Sequence, residues 1–145
     1  MWWKRKKPET IKMQTPYGEF LKLDGASWSN RTWDGDVQDA HGNSIQVLAD
    51  DIEGVPNPRL LERLPTILAD LQGLDRIARD YPELGEYLST GYELTLISDC
   101  AEETATSFPD CFTLGYSQID DGGGEGDTVF VDYSGRGVVG WDVGH

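Results

Sequence analysis

Cationic side chains are scarce in this chain, and so are the residues that most often carry chemistry. Lys and Arg together number 12 against 26 Asp and Glu, for a formal net charge of −14. Four of the 12 form one run, Lys4-Arg5-Lys6-Lys7, ahead of every acid. From Pro8 onward eight cations therefore face 26 acids, a balance of −18. A body of that charge repels phosphate backbones and attracts basic partners, with an on-rate that falls as salt rises. Nucleic acid is thus excluded as an expected partner. Two cysteines and two histidines, at no zinc-like spacing, give no reason to expect a metal or another cofactor. No apolar run reaches the roughly 18 residues of a membrane span. The opening Met1-Trp2-Trp3 and its basic run lead into Pro8, Glu9 and Thr10, not into the roughly 7–15 apolar residues of a secretory signal. Cytoplasmic residence is the expectation. With it, Cys100 and Cys111 are expected as reduced thiols, although the loop between them is short enough to be bridged. Trp2 and Trp3 beside the basic cluster leave transient contact with a membrane surface open.

What is present argues for a folded body. Hydrophobic residues make up 38% and aromatics 10%, enough apolar surface to sustain a core in one domain of 145 residues. The reading is a flexible basic tail over residues 1–9 and a single domain over residues 10–145. The strongest periodic stretch is Asn57 to Tyr81, where Leu60, Leu61, Leu64, Ile67, Leu68, Leu71, Leu74, Ile77 and Ala78 recur at helical spacing. Asn57 suits the cap and Pro58 the first helical position. Pro65 conflicts with the pattern, so a kink or a restart is expected there. The opposite face, with Arg63, Asp70, Asp75 and Arg79, reads as solvated, and Asp75 and Arg79 are spaced for an ion pair.

Alternation predicts strands at Tyr17–Leu23, Ser27–Trp33 and Ser44–Leu48, with turns at Asp24-Gly25, Trp33-Asp34-Gly35-Asp36 and His41-Gly42-Asn43. Further strands are expected at Tyr92–Ile97, with Leu94 and Leu96 on one side, and at Cys111–Ile119. A hairpin follows over Thr128–Tyr133 and Val138–Val143. Helical turns are expected at Pro82–Leu88, and again after a capping box formed by Asp99 and Glu102. The fold class this gives is α+β: an antiparallel sheet packed against one long amphipathic helix, kinked or restarted at Pro65.

Motifs that carry chemistry are few. Gly135-Arg136-Gly137-Val138-Val139-Gly140 matches a dinucleotide-binding pattern, but only five residues follow it, so no helix and no ribose-binding acid can. It reads as a hairpin turn. Asp120, Asp121, Glu125 and Asp127 crowd a glycine-rich loop without calcium-loop spacing, and neither do Asp34, Asp36 and Asp39 have it. The loop reads as solvated, or as an acidic patch for a basic protein. A nucleophilic pair of Cys100 or Cys111 with His41 has nothing in the spacing to support it. Gly115-Tyr116-Ser117-Gln118-Ile119 lacks the closing glycine of a hydrolase elbow. No catalytic residue is assigned.

Several features together resemble a known group. They are the early Tyr17-Gly18-Glu19-Phe20, the Trp33-Asp34-Gly35 stretch, the amphipathic helix and the ending from Thr128-Val129-Phe130 through Gly140-Trp141-Asp142. The chain resembles small acidic bacterial immunity-type domains of polymorphic or contact-dependent toxin systems. The resemblance implies a protein that inhibits a toxin by binding it, and it carries over no catalytic or contact residue. With the charge, it leads to a basic protein partner held by Asp120, Asp121, Glu125 and Asp127, with Asp99, Glu102 and Glu103 contributing. A small hydrolase or transferase, and an accessory domain tethered near a membrane by the tail, stand as alternatives.

Overall fold

The structure, a computed structural model, describes residues 10–23, 31–118 and 127–144. Among these, nine strands form one sheet. In spatial order it runs β1 (Thr10–Thr15), β2 (Gly18–Leu23), β3 (Thr32–Gln38), β4 (Ser44–Ile52), β6 (Tyr92–Ser98), β7 (Cys111–Gln118), β8 (Thr128–Ser134) and β9 (Gly137–Gly144). The two-residue β5 (Val55–Pro56) pairs beside β4. Four helices complete the described chain: α1 (Pro58–Ala69), α2 (Leu71–Asp80), α3 (Leu84–Leu88) and α4 (Glu102–Ser107). The expectation of an antiparallel sheet against one long helix is corrected on both points. The sheet is mixed and dominates the molecule, and the helical stretch is divided.

The mixed character has a simple cause. Neighbouring strands pair antiparallel everywhere except β4 and β6, which run parallel. A parallel pair needs a crossover of a dozen or more residues, and α1, α2 and α3 supply it. The helical period predicts these helices, but a period does not reveal that the chain returns to the rim where β4 began.

The helix divides at Asp70, not at Pro65. Pro65 lies within α1 on its exposed side, where the Leu61 carbonyl it leaves unpaired can be hydrated. Asp70 leaves the helical conformation (φ −117°, ψ 16°), its N–H turning to the Ile67 carbonyl at 3.1 Å. Its carboxylate receives Arg136 from the β8–β9 turn through two bonds of 2.7 and 3.2 Å. Gly73 leaves room for that guanidinium: a Cβ there would collide with the Asp70 carboxylate and lie 2.6 Å from Arg136. The glycine-rich hairpin match thus acts as a clasp on the helix break.

All three crossover helices cover one face of the sheet. Leu60, Leu64 and Ile67 of α1, Leu71, Leu74 and Ala78 of α2, and Leu84 and Leu88 of α3 are buried in one core with Phe20, Trp33, Val47, Ile97, Leu114 and Val131. Two tyrosines moor α2 to the sheet. The Tyr133 hydroxyl donates to the Leu74 carbonyl at 2.7 Å, and the Tyr116 hydroxyl to Asp75 at 2.8 Å. The Asp75–Arg79 ion pair forms at 3.0 Å as expected, but this part of the helix is engaged rather than merely solvated. Arg79 also donates to the Tyr92 carbonyl at 2.8 Å.

Three local expectations change. Trp33-Asp34-Gly35-Asp36 is no turn but the middle of β3, with Trp33, Gly35 and Val37 buried and Asp34 and Asp36 exposed. Gly35 is required because the Phe20 ring fills the space 2.7 Å from where its Cβ would stand. A bulge in β6 sets Leu94 opposite Tyr116 and Leu96 opposite Gly115, so the two leucines face opposite sides. The capping box does not form: Ala101 is the cap residue of α4, without a side-chain bond. The tail 1–9, the Asp24-Gly25 turn, most of the strand expected at Ser27–Trp33, and Asp120, Asp121 and Glu125 lie outside the described residues.

Candidate functional site

Because β4 and β6 run parallel, both end at the same rim, and the chains leaving them diverge around a crevice at the start of α1. Such rims are where open α/β sheets gather polar groups. Here Asp99, just past β6, accepts the Asp50 N–H at 2.7 Å on one oxygen and the Asn57 side-chain amide at 2.8 Å on the other. Asn57 in turn caps α1, accepting the Arg59 N–H at 3.1 Å. Arg63 reaches across from α1 to the Cys111 and Pro109 carbonyls and to Asp110, which it meets at 2.9 Å. The crevice measures about 290 Å³, and Cys100, Glu102 and Cys111 also line it.

The electrostatics of this rim favour structure over catalysis. Burial raises the Asp99 carboxyl above the ordinary carboxylate range, partly offset by its hydrogen bonds and by Arg63. Asp50 is raised by burial and then by the charge of Asp99. Burial also pushes the Cys100 thiol up, away from the thiolate a nucleophile requires. His41 is not in this crevice. Its Nε2 stands 3.0 Å from the Gln72 side chain in a second groove, so the structure does not bring a Cys–His pair together.

That second groove, about 650 Å³, lies between the β3–β4 turn, α2 and the start of β6. Its polar groups bond mainly to one another. Arg79 holds Asp75, and Asp39 accepts the N–H groups of His41 and Asn43 at 2.8 and 2.9 Å, closing the turn. The Asn43 N–H is the main reason the Asp39 carboxyl lies below its usual range.

The face of the sheet away from the crossover helices is exposed along β3 and β4. On β3 and β4 it presents Asp34, Asp36, Gln38, Ser44, Gln46 and Asp50, all exposed. Asp34 and Gln46 are joined at 3.1 Å across the strands. The Asp34 and Asp36 positions were legible, since two acids alternate with Trp33, Gly35 and Val37. The Asp34-Gly35-Asp36 composition suits a turn equally well, and only the Phe20 ring against Gly35 explains the glycine within a strand.

The acids expected to meet a partner fall in different places. Asp99 lines the crevice with both oxygens engaged, while Glu102 and Glu103 are exposed on the first turn of α4 beside it. Asp127 is half-buried and precedes β8, at the far end of β7 from Cys111. Over an eight-residue strand that separation is roughly 20–25 Å at about 3.3 Å per residue, so Asp127 does not join the Asp99 cluster. Asp120, Asp121 and Glu125 lie outside the described residues. Among the described residues, no group of three or more His, Cys, Asp or Glu is placed to hold a metal ion, and no helix is long and apolar enough to cross a membrane. No protein-family model, curated protein or solved structure matches this chain.

Proposed function

We propose that this chain is a non-enzymatic binding protein of the immunity type, which inhibits a basic toxin partner by covering its working surface. The observation that carries the reading is the exposed acidic face of β3 and β4. The crossover helices bury one face, while the exposed positions of β3 and β4 hold Asp34, Asp36 and Asp50 on rigid strands. Acids fixed in a ladder lose little freedom on docking, and a body at −18 beyond its first residues draws a cationic surface toward them. Glu102 and Glu103 extend the acidic rim. Asp120, Asp121, Glu125 and Asp127 are proposed to contribute as well. The reading carries with it the cytoplasmic residence expected from the sequence.

The test is affinity capture from the source lysate at low and at moderate salt, followed by an activity assay of whatever is recovered. The expected result is one basic protein, lost as salt rises, whose own activity falls when this chain is added. Recovery of a protein whose activity is unchanged by the chain would reject inhibition.

A further inference from the structure

Two thiols stand across the mouth of the β6–β7 connection. Ser98 pairs with Thr113 in the antiparallel ladder. The same register carried two residues further sets Cys100 opposite Cys111, bracketing the ten residues 101–110 that hold α4. Side-chain geometry agrees. The Thr113 hydroxyl lies 3.4 Å from the Cys100 sulfur, the diagonal neighbour that this register requires. Both thiols are unpaired and little exposed, at 9% and 7%, yet both line the crevice of about 290 Å³ at the strand ends. That volume admits a molecule the size of a peroxide, given that a water occupies about 30 Å³.

We infer that Cys100 and Cys111 form a modification site, which a hydroperoxide converts to an intramolecular disulfide that staples the α4 connection. Burial and the Asp132 carboxylate, 3.9 Å from the Cys100 sulfur, both oppose loss of the Cys100 proton, so the reactive thiolate is a minor form that grows with pH. Once deprotonated, the sulfur attacks a peroxide oxygen. The O–O bond breaks, and the departing hydroxide takes the proton as water, leaving a sulfenic acid. The Cys111 sulfur then attacks the Cys100 sulfur, the S–O bond breaks, and hydroxide leaves with the Cys111 proton as a second water. Two thiols have lost two electrons and two protons, and hydrogen peroxide has become two waters. Burial holds the Cys100 thiol protonated at neutral pH, so the reaction is slow there and quickens as pH rises. The resolving thiol is already in place, which favours the disulfide over higher oxides.

The test treats the full native chain with hydrogen peroxide, counts thiols under denaturing conditions and measures intact and peptide masses. The expected outcome is joint loss of both thiols, a mass lower by two hydrogens, a peptide linking Cys100 to Cys111, and recovery of both thiols with dithiothreitol. Oxidised wild type should also unfold at higher urea than the reduced form, a shift absent in Cys111→Ser. Oxygen adducts without the cross-link in native wild type would overturn the inference. So would a cross-link that forms only after unfolding, or one between two chains.

Discussion

Asp99 joins three separate parts of the chain. Its two oxygens tie the backbone of β4 to the cap of α1 from a position just past β6. Asp99→Ala leaves the Asp50 N–H and the Asn57 amide without their acceptor, and should cost about 1–3 kcal/mol in urea unfolding. Asp50 works in the other direction. Asp50 and Asp99 bind protons more tightly in the folded chain than in the unfolded one. As pH rises from the ordinary carboxylate range through their raised folded values, the native state holds more protons and stability falls. Asp50→Asn removes the repulsion between them. Because Asp50 is exposed to solvent, the gain near neutral pH should stay under about 1 kcal/mol. It should vanish in acid, where both carboxyls are protonated, and denaturant midpoints measured across that pH range would show the convergence.

At the scale of elements, α2 is placed by what grips its start and its middle. The Asp70–Arg136 clasp fixes its start, and Asp75 and Arg79 lock its middle to Tyr116 and Tyr92. Gly73→Ala would ordinarily stabilise a helix by about 1 kcal/mol. Here the added methyl collides with the Asp70 carboxylate and crowds Arg136, so the variant should be destabilised and the Arg136 pair lost. Thermal unfolding of Gly73→Ala and of Arg136→Ala should show similar losses, and the double variant should lose less than their sum. Much of this layout was legible. The period of Leu60, Leu64, Ile67, Leu71 and Leu74 marks the buried stripe, Asn57 marks its cap, and the glycine turn at residues 135–136 marks the last hairpin. Three features were not legible because each depends on a distant partner. The break at Asp70 needs Arg136 from 66 residues away, Gly35 needs the Phe20 ring, and the parallel pairing of β4 with β6 needs the route of the whole crossover. The sequence neighbours of Asp99 suit a local cap, whereas its partners lie 42 and 49 residues away.

For the whole molecule, buried tyrosines and net charge set the response to solution conditions. Burial raises Tyr92 to about 12, and raises Tyr116 and Tyr133 further. Above the ordinary value of 10.0 the unfolded chain releases these protons while the folded chain keeps them, so stability should fall steeply with alkali. Tyr116→Phe should flatten that fall while losing about 1 kcal/mol at neutral pH with its bond to Asp75, as circular dichroism against pH would reveal. The same molecule leaves the outer face of β3 and β4 exposed, and that face with its acids is the centre of the functional proposal. The most direct test compares association rates of the captured partner with wild type and with Asp34→Lys/Asp36→Lys across a series of salt concentrations. Both positions are exposed on β3, and the variant should remain folded. The account predicts that the reversal slows association at low salt by tenfold or more, about 1.4 kcal/mol in the barrier, and flattens the salt dependence. Equal rates and equal salt slopes in the two chains would contradict it.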